Sequence, residues 1–222
     1  MSKEFPFIPF RHQALLETEA MSATEHLFRR LSQRRSIRQF SSKPVETALL
    51  ERIVAIAGTA PSGANKQPWT YCLVTNPELK KRIREAAEIE ERANYEHRMS
   101  PEWLRDLAPL GTDEHKDFLE VAPALIVVFR RAYEMEGGQK RLNYYVQESV
   151  GVSCGFLIAA LHLAGLVCLT HTPSPMNFLE KLLERPSNER AFLLIPLGFP
   201  AEEAMVPDIS RKSISDILVR YD

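Results

Sequence analysis

The chain has 222 residues, of which 45% are hydrophobic and 26% charged, and its formal net charge at pH 7 is -1. This composition is typical of a single soluble domain whose core is large enough to fold without disulfides or metal. Because the net charge is close to zero, no bulk field attracts nucleic acid or an anionic membrane, and we expect neither as a partner.

The N-terminal quarter predicts an arm followed by two helices. Residues 1 to about 21 are predicted to form an extended arm, and their early charges argue against a signal peptide. A capping box, Ser22-x-x-Glu25, predicts a helix that ends near Gln33. Pro44 in a first turn and Gly58 as a stop bound a second helix. Its predicted inner face consists of Leu49, Leu50, Ile53, Val54 and Ala57.

Two strands and a polar helix are predicted in the middle of the chain. The run "WTYCLVT" (69–75) predicts a strand, and Asn76-Pro77-Glu78 predicts the start of a very polar helix that reaches about Met99. The apolar run "ALIVVFR" (124–130) predicts a buried strand. The following "EGGQKR" (136–141) predicts a loop.

A run without charged residues, 150–170, is long enough to span a bilayer. We interpret it instead as a buried core helix, from about Asn143 to Ala164, that leads into a strand at 166–170, because Gly165 interrupts it and no basic or Trp-rich flank follows. Gly151 and Gly155 are four residues apart and allow another helix to approach closely. This spacing indicates a central helix or a dimer-interface helix.

The chain is predicted to end with a short helix (176–184), a core strand "AFLLIPLGF" (191–199) and a tail. The four predicted strands alternate with helices without a strict βα rhythm, and no GxGxxG follows a strand, so a Rossmann dinucleotide site is not indicated. Cys72, Cys154 and Cys168 lie in apolar runs without CxxC spacing and predict reduced thiols in a cytoplasmic protein. The six histidines have no metal-binding spacing, so no metal site is expected.

The sequence "RRSIR" concentrates three arginines and a serine within five residues. Arg34, Arg35 and Arg38 supply planar, permanently charged groups that suit a phosphate, and Ser36 adds a hydroxyl. We call these four residues the arginine cluster. Taken alone, the pattern also fits a helix C-terminus complemented by cations or a solvated basic face.

Two short polar segments lie beside predicted strands. In residues 58–69, Pro61, Ser62 and Gly63 allow the backbone to approach a flat ligand closely, although a plain connection is the alternative. Thr170, His171 and Thr172 follow a buried strand, where a hydroxyl could hydrogen-bond a redox cofactor. An ordinary turn is the alternative there.

Glu91 and Tyr95 are four residues apart and share a helix face, and Lys116 follows in the next segment. A carboxylate, a phenol and an ammonium together can hold a zwitterion, with Glu91 facing an α-ammonium and Lys116 an α-carboxylate. We call these three residues the substrate clamp; the alternative is a solvated, charged helix face. Because the helix is too polar to be stable without partners, residues 77–116 are predicted to form a lid.

The four segments, in this order, resemble the nitroreductase superfamily and, more narrowly, its iodotyrosine deiodinase branch. The superfamily resemblance rests on "RRSIR" followed by "APSGANKQPW", and the narrower one on "EERANYEHRM", Lys116 and the closing "VPDISRK". It covers roughly residues 30–220. It implies an α+β fold, a central and mostly antiparallel sheet wrapped by helices, and an intertwined homodimer with two FMN sites at its interface.

The resemblance also implies roles for individual residues. The arginine cluster binds the FMN phosphate and ribityl chain with Arg211, residues 61–63 lie along the flavin ring, and Thr172 donates its hydroxyl to the reactive flavin nitrogen. The backbone of Ala64 meets the substrate phenolate, and the substrate clamp holds the amino-acid end. His171, where relatives often carry threonine, is expected to alter the redox poise or the pH dependence of the flavin.

The resemblance therefore predicts an FMN-dependent reductive dehalogenase of halotyrosines, with electrons from NAD(P)H or a reductase. One alternative is a broad NAD(P)H-dependent nitro- or quinone-reductase, which has no need of the substrate clamp. Another is a protein that stores, senses or dismantles flavin. The sequence predicts a single domain over residues 1–222 and a soluble, bacterial member that lacks the apolar anchor of membrane-bound relatives.

Overall fold

The computed structural model describes residues 5–222 and divides the chain into two units, the first ending at Arg34 and the second running from Arg35 to Asp222. In the first unit, helix α1 (Glu17–Ser32) has no buried residue. The predicted capping box is wrong, because the helix begins five residues earlier and contains Ser22. The Glu19 carboxylate accepts a 3.0 Å hydrogen bond from the backbone N–H of Leu16, which caps the helix there instead.

The second unit contains the remaining elements of the described chain. Its strands are β1 (Trp69–Val74), β2 (Ala124–Arg131), β3 (Tyr133–Glu136), β4 (Gln139–Leu142), β5 (Val167–Cys168) and β6 (Glu189–Gly198). Its helices are α2 (Thr47–Ala57), α3 (Pro77–Ala93), α4 (Pro101–Leu107), α5 (Phe118–Val121), α6 (Val146–Leu163), α7 (Asn177–Leu182) and α8 (Ile214–Ile217). Short 3-10 turns at Gly63–Asn65 and Ala108–Leu110 and a π turn at Asn94–Arg98 connect some of them.

The main sheet has the strand order β1-β2-β6-β5, and every pair of these neighbouring strands is antiparallel. All four strands were predicted from apolar runs, and the α+β fold with an antiparallel sheet wrapped by helices is confirmed. Helices cover both faces of the sheet, so β2 is apolar at nearly every position rather than at alternate ones. Ile126 and Val128 face a core formed with α2 and α6, whereas Val127 and Phe129 face a core formed with α3, α5 and α7.

Helix α6 is the one helix in the described part of the chain with the length and apolar composition to cross a membrane. One face of it is in the core, where Val150, Leu157 and Leu161 are fully buried. It therefore serves as a core helix, as predicted. Its other face carries Val152 and Phe156, which are exposed.

Other predictions need correction at their boundaries. The segment "EGGQKR" is not a loop, because Gly137 and Gly138 both have positive φ angles and form the tight turn of the β3–β4 hairpin. Helix α2 begins at Thr47, so Pro44 precedes the helix rather than lying in its first turn. All three cysteines are free thiols, as predicted, although Cys72 is only half-buried.

We expect Ser153→Ala to lower the free energy of unfolding by about 1–3 kcal/mol. The fully buried Ser153 hydroxyl donates a 2.7 Å hydrogen bond to the Ala57 carbonyl and also bonds the Tyr71 hydroxyl, so its loss leaves both groups without this partner. Urea unfolding measures the effect. Ser42→Ala is the matched control, because Ser42 is exposed; an equal, small change in both variants would contradict the prediction.

Candidate functional site

The arginine cluster lies across the boundary between the two units. Arg34 is the last residue of the first unit, whereas Arg35, Ser36 and Arg38 belong to the second. In the second unit the backbone at Ser36 pairs with Cys168 in a parallel bridge, and the N–H of Ile37 donates to the Cys168 carbonyl at 3.1 Å. The part of the cluster in the second unit, Arg35 to Arg38, is therefore positioned by the end of β5.

A cavity of about 310 Å³ opens beside Ser36 and Arg38. The segment containing Met205 and Pro207 closes one side of it, and the guanidinium of Arg35 donates to the Pro207 carbonyl. Burial lowers the pKa of Arg38. Arg211 lies in the exposed chain that follows this segment. A hydroxyl and a half-buried guanidinium in one cavity form a donor set that suits a phosphate.

The loop at 61–67 is held by side-chain hydrogen bonds to its own backbone. The Ser62 hydroxyl accepts from the N–H of Gln67 at 2.9 Å, and the N–H of Gly63 donates to the Ser149 hydroxyl of α6 at 3.2 Å. A Cβ atom at Gly63 would lie 2.9 Å from the Tyr145 ring and 3.0 Å from the Tyr144 carbonyl oxygen. Glycine is thus required by close packing on the protein itself, a reason that the sequence did not reveal.

Three residues of this loop that are not glycine have positive φ angles: Ala64 (49°), Asn65 (52°) and Gln67 (47°). The left-handed region costs an L-residue such as alanine roughly 1–2 kcal/mol. Backbone held in such a conformation is concentrated at binding loops, where it aims N–H groups at a ligand. The geometry at Ala64 is therefore compatible with its predicted backbone role.

The segment after β5 alternates between the core and the surface. The N–H and carbonyl of His171 both hydrogen-bond the backbone of Leu194, at 2.9 and 3.0 Å, and its side chain is buried with an edge contact to Phe118. Thr170 and Thr172, on either side, are exposed. The two threonine hydroxyls thus face away from the core, whereas the imidazole points into it.

The buried His171 is a neutral imidazole. Burial, together with the positive charges of Lys116 and Arg38, lowers its pKa from 6.5 to about 3. Its Nε2 atom has no hydrogen-bond partner among the described residues. The protonation of His171 is therefore sensitive to one residue of the arginine cluster, Arg38, and to one residue of the substrate clamp, Lys116.

The structure brings the three residues of the substrate clamp together. The Lys116 ammonium, whose side chain is 2% exposed, lies 3.3 Å from the Glu91 carboxylate and 5.5 Å from the centre of the Tyr95 ring. It also donates to the Asp113 carbonyl, and the Tyr95 hydroxyl donates to the Thr112 carbonyl at 2.9 Å. The solvated-face alternative is wrong for Glu91 and Lys116, because both are buried.

Burial raises the pKa of the Glu91 carboxyl, and the Lys116 charge opposes part of that rise. Burial likewise raises the pKa of Tyr95. Glu91 and Lys116 thus form a desolvated pair of opposite charges. Each charge is stabilised only while it has a partner of opposite sign, either the other residue of the pair or a ligand group that replaces it.

Glu88, one turn before Glu91, holds Lys116 from the other side and was not predicted as a site residue. Its carboxylate accepts the backbone N–H of Lys116 at 2.8 Å and pairs with Arg84, also at 2.8 Å. The helical spacing of three residues from Glu91 was the signal that could have identified it.

A second cavity, of about 430 Å³, brings Glu91 and Thr172 to one space. It joins the substrate clamp to the end of the strand that the sequence associates with a cofactor. Sequence reasoning missed its other lining residues, which are Asn94, Arg98, Met99, Trp103, Ser174 and Pro175. Asn94 could have been found as the residue three positions after Glu91 on the same helix face.

Comparison with known proteins identifies the family of the chain. The model of the nitroreductase family matches residues 31–199. The chain is 54% identical to an iodotyrosine deiodinase of Haliscomenobacter hydrossis over 222 residues, which is 100% of both chains. The chain belongs to the nitroreductase family, in its iodotyrosine deiodinase branch. It is also 42% identical to an iodotyrosine deiodinase of Danio rerio over 98% of this chain and 74% of that protein.

Solved structures of two flavoproteins are similar in fold to this nitroreductase-family chain. A crystal structure of an oxidized iodotyrosine deiodinase, bound to FMN and 3-iodo-L-tyrosine, superimposes with a TM-score of 0.75 at 30% identity, over 88% of this chain and 98% of that one. A nitroreductase with bound FMN from Bacteroides fragilis has a TM-score of 0.64 at 18% identity, over 87% and 98% of the two chains, and supports the fold alone.

We expect His171→Leu to reduce the loss of stability at acidic pH. The folded-state pKa of about 3 lies below the ordinary value of 6.5, so the unfolded chain takes up the proton first as the pH falls. The contribution of the neutral imidazole is complete above about pH 6.5 and is lost between pH 6.5 and 3, and the loss reaches roughly 3 kcal/mol at pH 4.5.

Urea unfolding at pH 7 and pH 4.5 measures this difference in the wild type and the variant. His97→Leu is the matched control, because the His97 side chain is 76% exposed. The interpretation fails if both variants lose the same stability as the wild type between the two pH values.

Proposed function

We propose that this protein is an FMN-dependent reductive dehalogenase of halotyrosines, which releases halide and tyrosine. The observation that carries the proposal is the buried Glu91–Lys116 pair, of which Glu91 lines one cavity together with Thr172. The full-length identity of 54% to an iodotyrosine deiodinase supports the same conclusion, as does the solved relative that holds FMN and 3-iodo-L-tyrosine together. The cofactor is FMN.

The described residues fit FMN. Ser36 and Arg38 line a cavity that suits a phosphate, with Arg35 beside it, and we assign Arg34 and Arg211 to the same role from the resemblance. We assign Pro61, Ser62 and Gly63 to the flavin ring. The exposed hydroxyls of Thr170 and Thr172 suit hydrogen bonds to the flavin. His171 is buried, and we propose that it influences the flavin electrostatically rather than by direct contact.

In this proposal the substrate replaces an interaction that the clamp makes with itself. The α-ammonium of a halotyrosine pairs with Glu91 and its α-carboxylate pairs with Lys116, so both buried charges keep a partner of opposite sign. Tyr95 lies beside the same zwitterion. The backbone N–H of Ala64, in its left-handed conformation, receives the phenolate oxygen.

The reaction needs two electrons and one proton for each carbon–halogen bond that breaks, and it yields tyrosine and a halide ion. When bound, FMN supplies the electrons, and the hydroxyl of Thr172 favours their transfer one at a time. NAD(P)H or a reductase supplies the electrons from outside. The chain orients the ring, excludes water and stabilises the phenolate.

The lid is proposed to comprise the part of residues 77–116 that follows Ala87. Ile83 and Ala87 are fully buried in the core, so the first half of α3 is anchored. Trp103 is half-exposed at the edge of the cavity with Glu91, where closing would cover the substrate.

The protein is proposed to be a homodimer in the cytoplasm. The outer face of α6 carries the exposed Val152 and Phe156, and an added Cβ at Gly151 or Gly155 would meet no described atom within 4 Å. A contiguous apolar face of this kind on a core helix supports packing against a second copy. The three free thiols support a reducing compartment.

The first experiment is a titration of the purified, FMN-loaded protein with 3-iodotyrosine, followed by flavin fluorescence, with tyrosine as the control. Quenching by micromolar iodotyrosine and little by tyrosine, followed by iodide release on reduction, is the expected result. Fast nitroaromatic reduction by NADPH without an effect of halotyrosine would favour a general reductase. A flavin spectrum that no aromatic amino acid or nitroaromatic changes would favour a flavin-storing protein.

We expect Glu91→Gln and Lys116→Ala each to weaken iodotyrosine binding at least tenfold, since a charge-assisted contact contributes about 1.5–3 kcal/mol. FMN is expected to stay bound in both variants, because neither side chain lines the cavity of Ser36 and Arg38. Glu85→Gln is the matched control, because Glu85 lies on the same helix but its side chain is 52% exposed and takes no part in the contacts of Lys116 or Asn94. Unchanged affinity in both clamp variants would rule out the clamp.

We expect Phe156→Glu to convert the protein to a monomer, because it places a charge in the apolar face of α6. Light scattering after size-exclusion chromatography gives the mass. Met135→Glu, on the exposed β3–β4 hairpin, is the control and is expected to leave the mass unchanged. A wild type that is already monomeric would overturn the homodimer.

A further inference from the structure

We call α3 together with the π turn Asn94–Arg98 the clamp helix. The carbonyl of Ser174 is a contact point between the clamp helix and the segment that carries Thr172. The amide nitrogen of Asn94 donates to this carbonyl at 2.9 Å, and the guanidinium of Arg98 lies 3.4 Å from the same oxygen. Asn94 is buried, with 8% of its surface exposed. A buried polar side chain that donates a hydrogen bond to a distant backbone carbonyl constrains both the segment that carries the side chain and the segment that carries the carbonyl.

The orientation of the Asn94 amide is determined by its surroundings. The guanidinium of Arg98 donates to Asn94 Oδ1 at 3.3 Å and is itself held by the Glu90 carboxylate at 2.7 Å. In the reverse orientation the amide oxygen would face the Ser174 carbonyl oxygen, and the amide nitrogen would face a cation. The network therefore directs the donor of Asn94 towards Ser174.

The local backbone supports the same role. Asn94 begins the π turn Asn94–Arg98, in which the N–H of Met99 donates to the Asn94 carbonyl at 2.9 Å. π turns inside helices occur frequently at functional sites, because the extra residue re-aims the side chains that follow. Asn94 lies three residues after Glu91 and directly before Tyr95, so it lies between two residues of the substrate clamp.

On the other side of the contact, Ser174 follows Thr172 by two residues. Glu91, Asn94, Thr172 and Ser174 all line the cavity of about 430 Å³. The Asn94–Ser174 hydrogen bond thus spans the cavity between the residue assigned to the α-ammonium and the residue assigned to the flavin. No other described hydrogen bond between side chain and backbone joins these two segments except the longer one from Arg98.

We propose that Asn94 is a positioning residue that latches the clamp helix onto the Thr172 segment and thereby sets the affinity for halotyrosine. The assignment rests on the proposed function for the identity of the ligand. The latch fixes the separation between Glu91, which is assigned to the α-ammonium, and Thr172, which is assigned to the cofactor, so a bound halotyrosine would be held in one position relative to Thr172. It also holds the second half of the lid in place before substrate arrives.

The test uses the FMN-loaded protein and the variant Asn94→Leu, which keeps the number and branching of the side-chain heavy atoms and removes the donor. We expect the dissociation constant for 3-iodotyrosine, measured by flavin quenching, to rise about tenfold, as for the loss of a buried hydrogen bond. We also expect trypsin, without substrate, to cut the lid at Arg92, Arg98 or Arg105 several-fold faster than in the wild type. FMN content is expected to remain unchanged.

Asn188→Leu is the matched control, since the Asn188 amide also donates to a distant backbone carbonyl, that of Tyr133, at 2.8 Å but far along the chain from the lid. It is expected to leave both the affinity and the lid cleavage unchanged. If Asn94→Leu does not fold, Asn94→Asp removes the same donor with a smaller change of shape and is held to the same expectation.

The latch is overturned if the Asn94 variant binds iodotyrosine like the wild type or if its lid is cut at the wild-type rate. It is equally overturned if the variant loses FMN in proportion to its loss of affinity, which is the mark of a general structural defect. A wild type that does not bind iodotyrosine would refute the proposed function, whereas the rate of lid cleavage would still decide whether the latch exists.

Discussion

Lys116 carries a positive charge at a position that water barely reaches, and much of the site is arranged to compensate that charge. The side chain is 2% exposed, and a lone ammonium there would cost several kcal/mol. Glu91 supplies the opposite charge, the Asp113 carbonyl accepts a hydrogen bond, and the Tyr95 ring presents its face. Burial, together with this charge and that of Arg38, keeps the nearby His171 neutral. A zwitterion can take over this compensation because it offers one group of each sign, whereas a neutral ring cannot.

The antiparallel sheet is what holds the two sides of the site at a fixed separation. β6 pairs on one side with β2 and on the other with β5. Beyond the end of β5, a backbone bridge between His171 and Leu194 of β6 extends the second pairing. That bridge positions Thr172, and the pairing of Ser36 with Cys168 positions the second-unit part of the arginine cluster, Arg35 to Arg38, beside β5. The polar helix α3 reaches the sheet through Ile83 and Ala87, so Glu91, one turn after Ala87, is carried on an anchored base.

The accuracy of the sequence predictions followed the strength of each local signal. The four strands of the main sheet were predicted because a strand covered on both faces is apolar throughout, and the start of α3 because Asn76 caps it by accepting the N–H of Leu79. The start of α1 was wrong, because Glu19 competes with Ser22 as the capping residue. The β3–β4 hairpin was missed, since its strands are only four residues long and polar.

The chemical character of the site was determined by the sequence itself. Arginines around a serine suit phosphate, and a carboxylate and a phenol four residues apart on a helix, followed by a lysine, suit a zwitterion; these depend only on residue type and local spacing. Only the tertiary structure decided which charges are buried and what they contact. Lys116 is buried and paired with Glu91 from another segment, His171 faces inward while its neighbours face out, and Asn94 meets Ser174 across 80 residues. Burial and long-range pairing arise from how distant segments pack, and no local pattern in one chain encodes them.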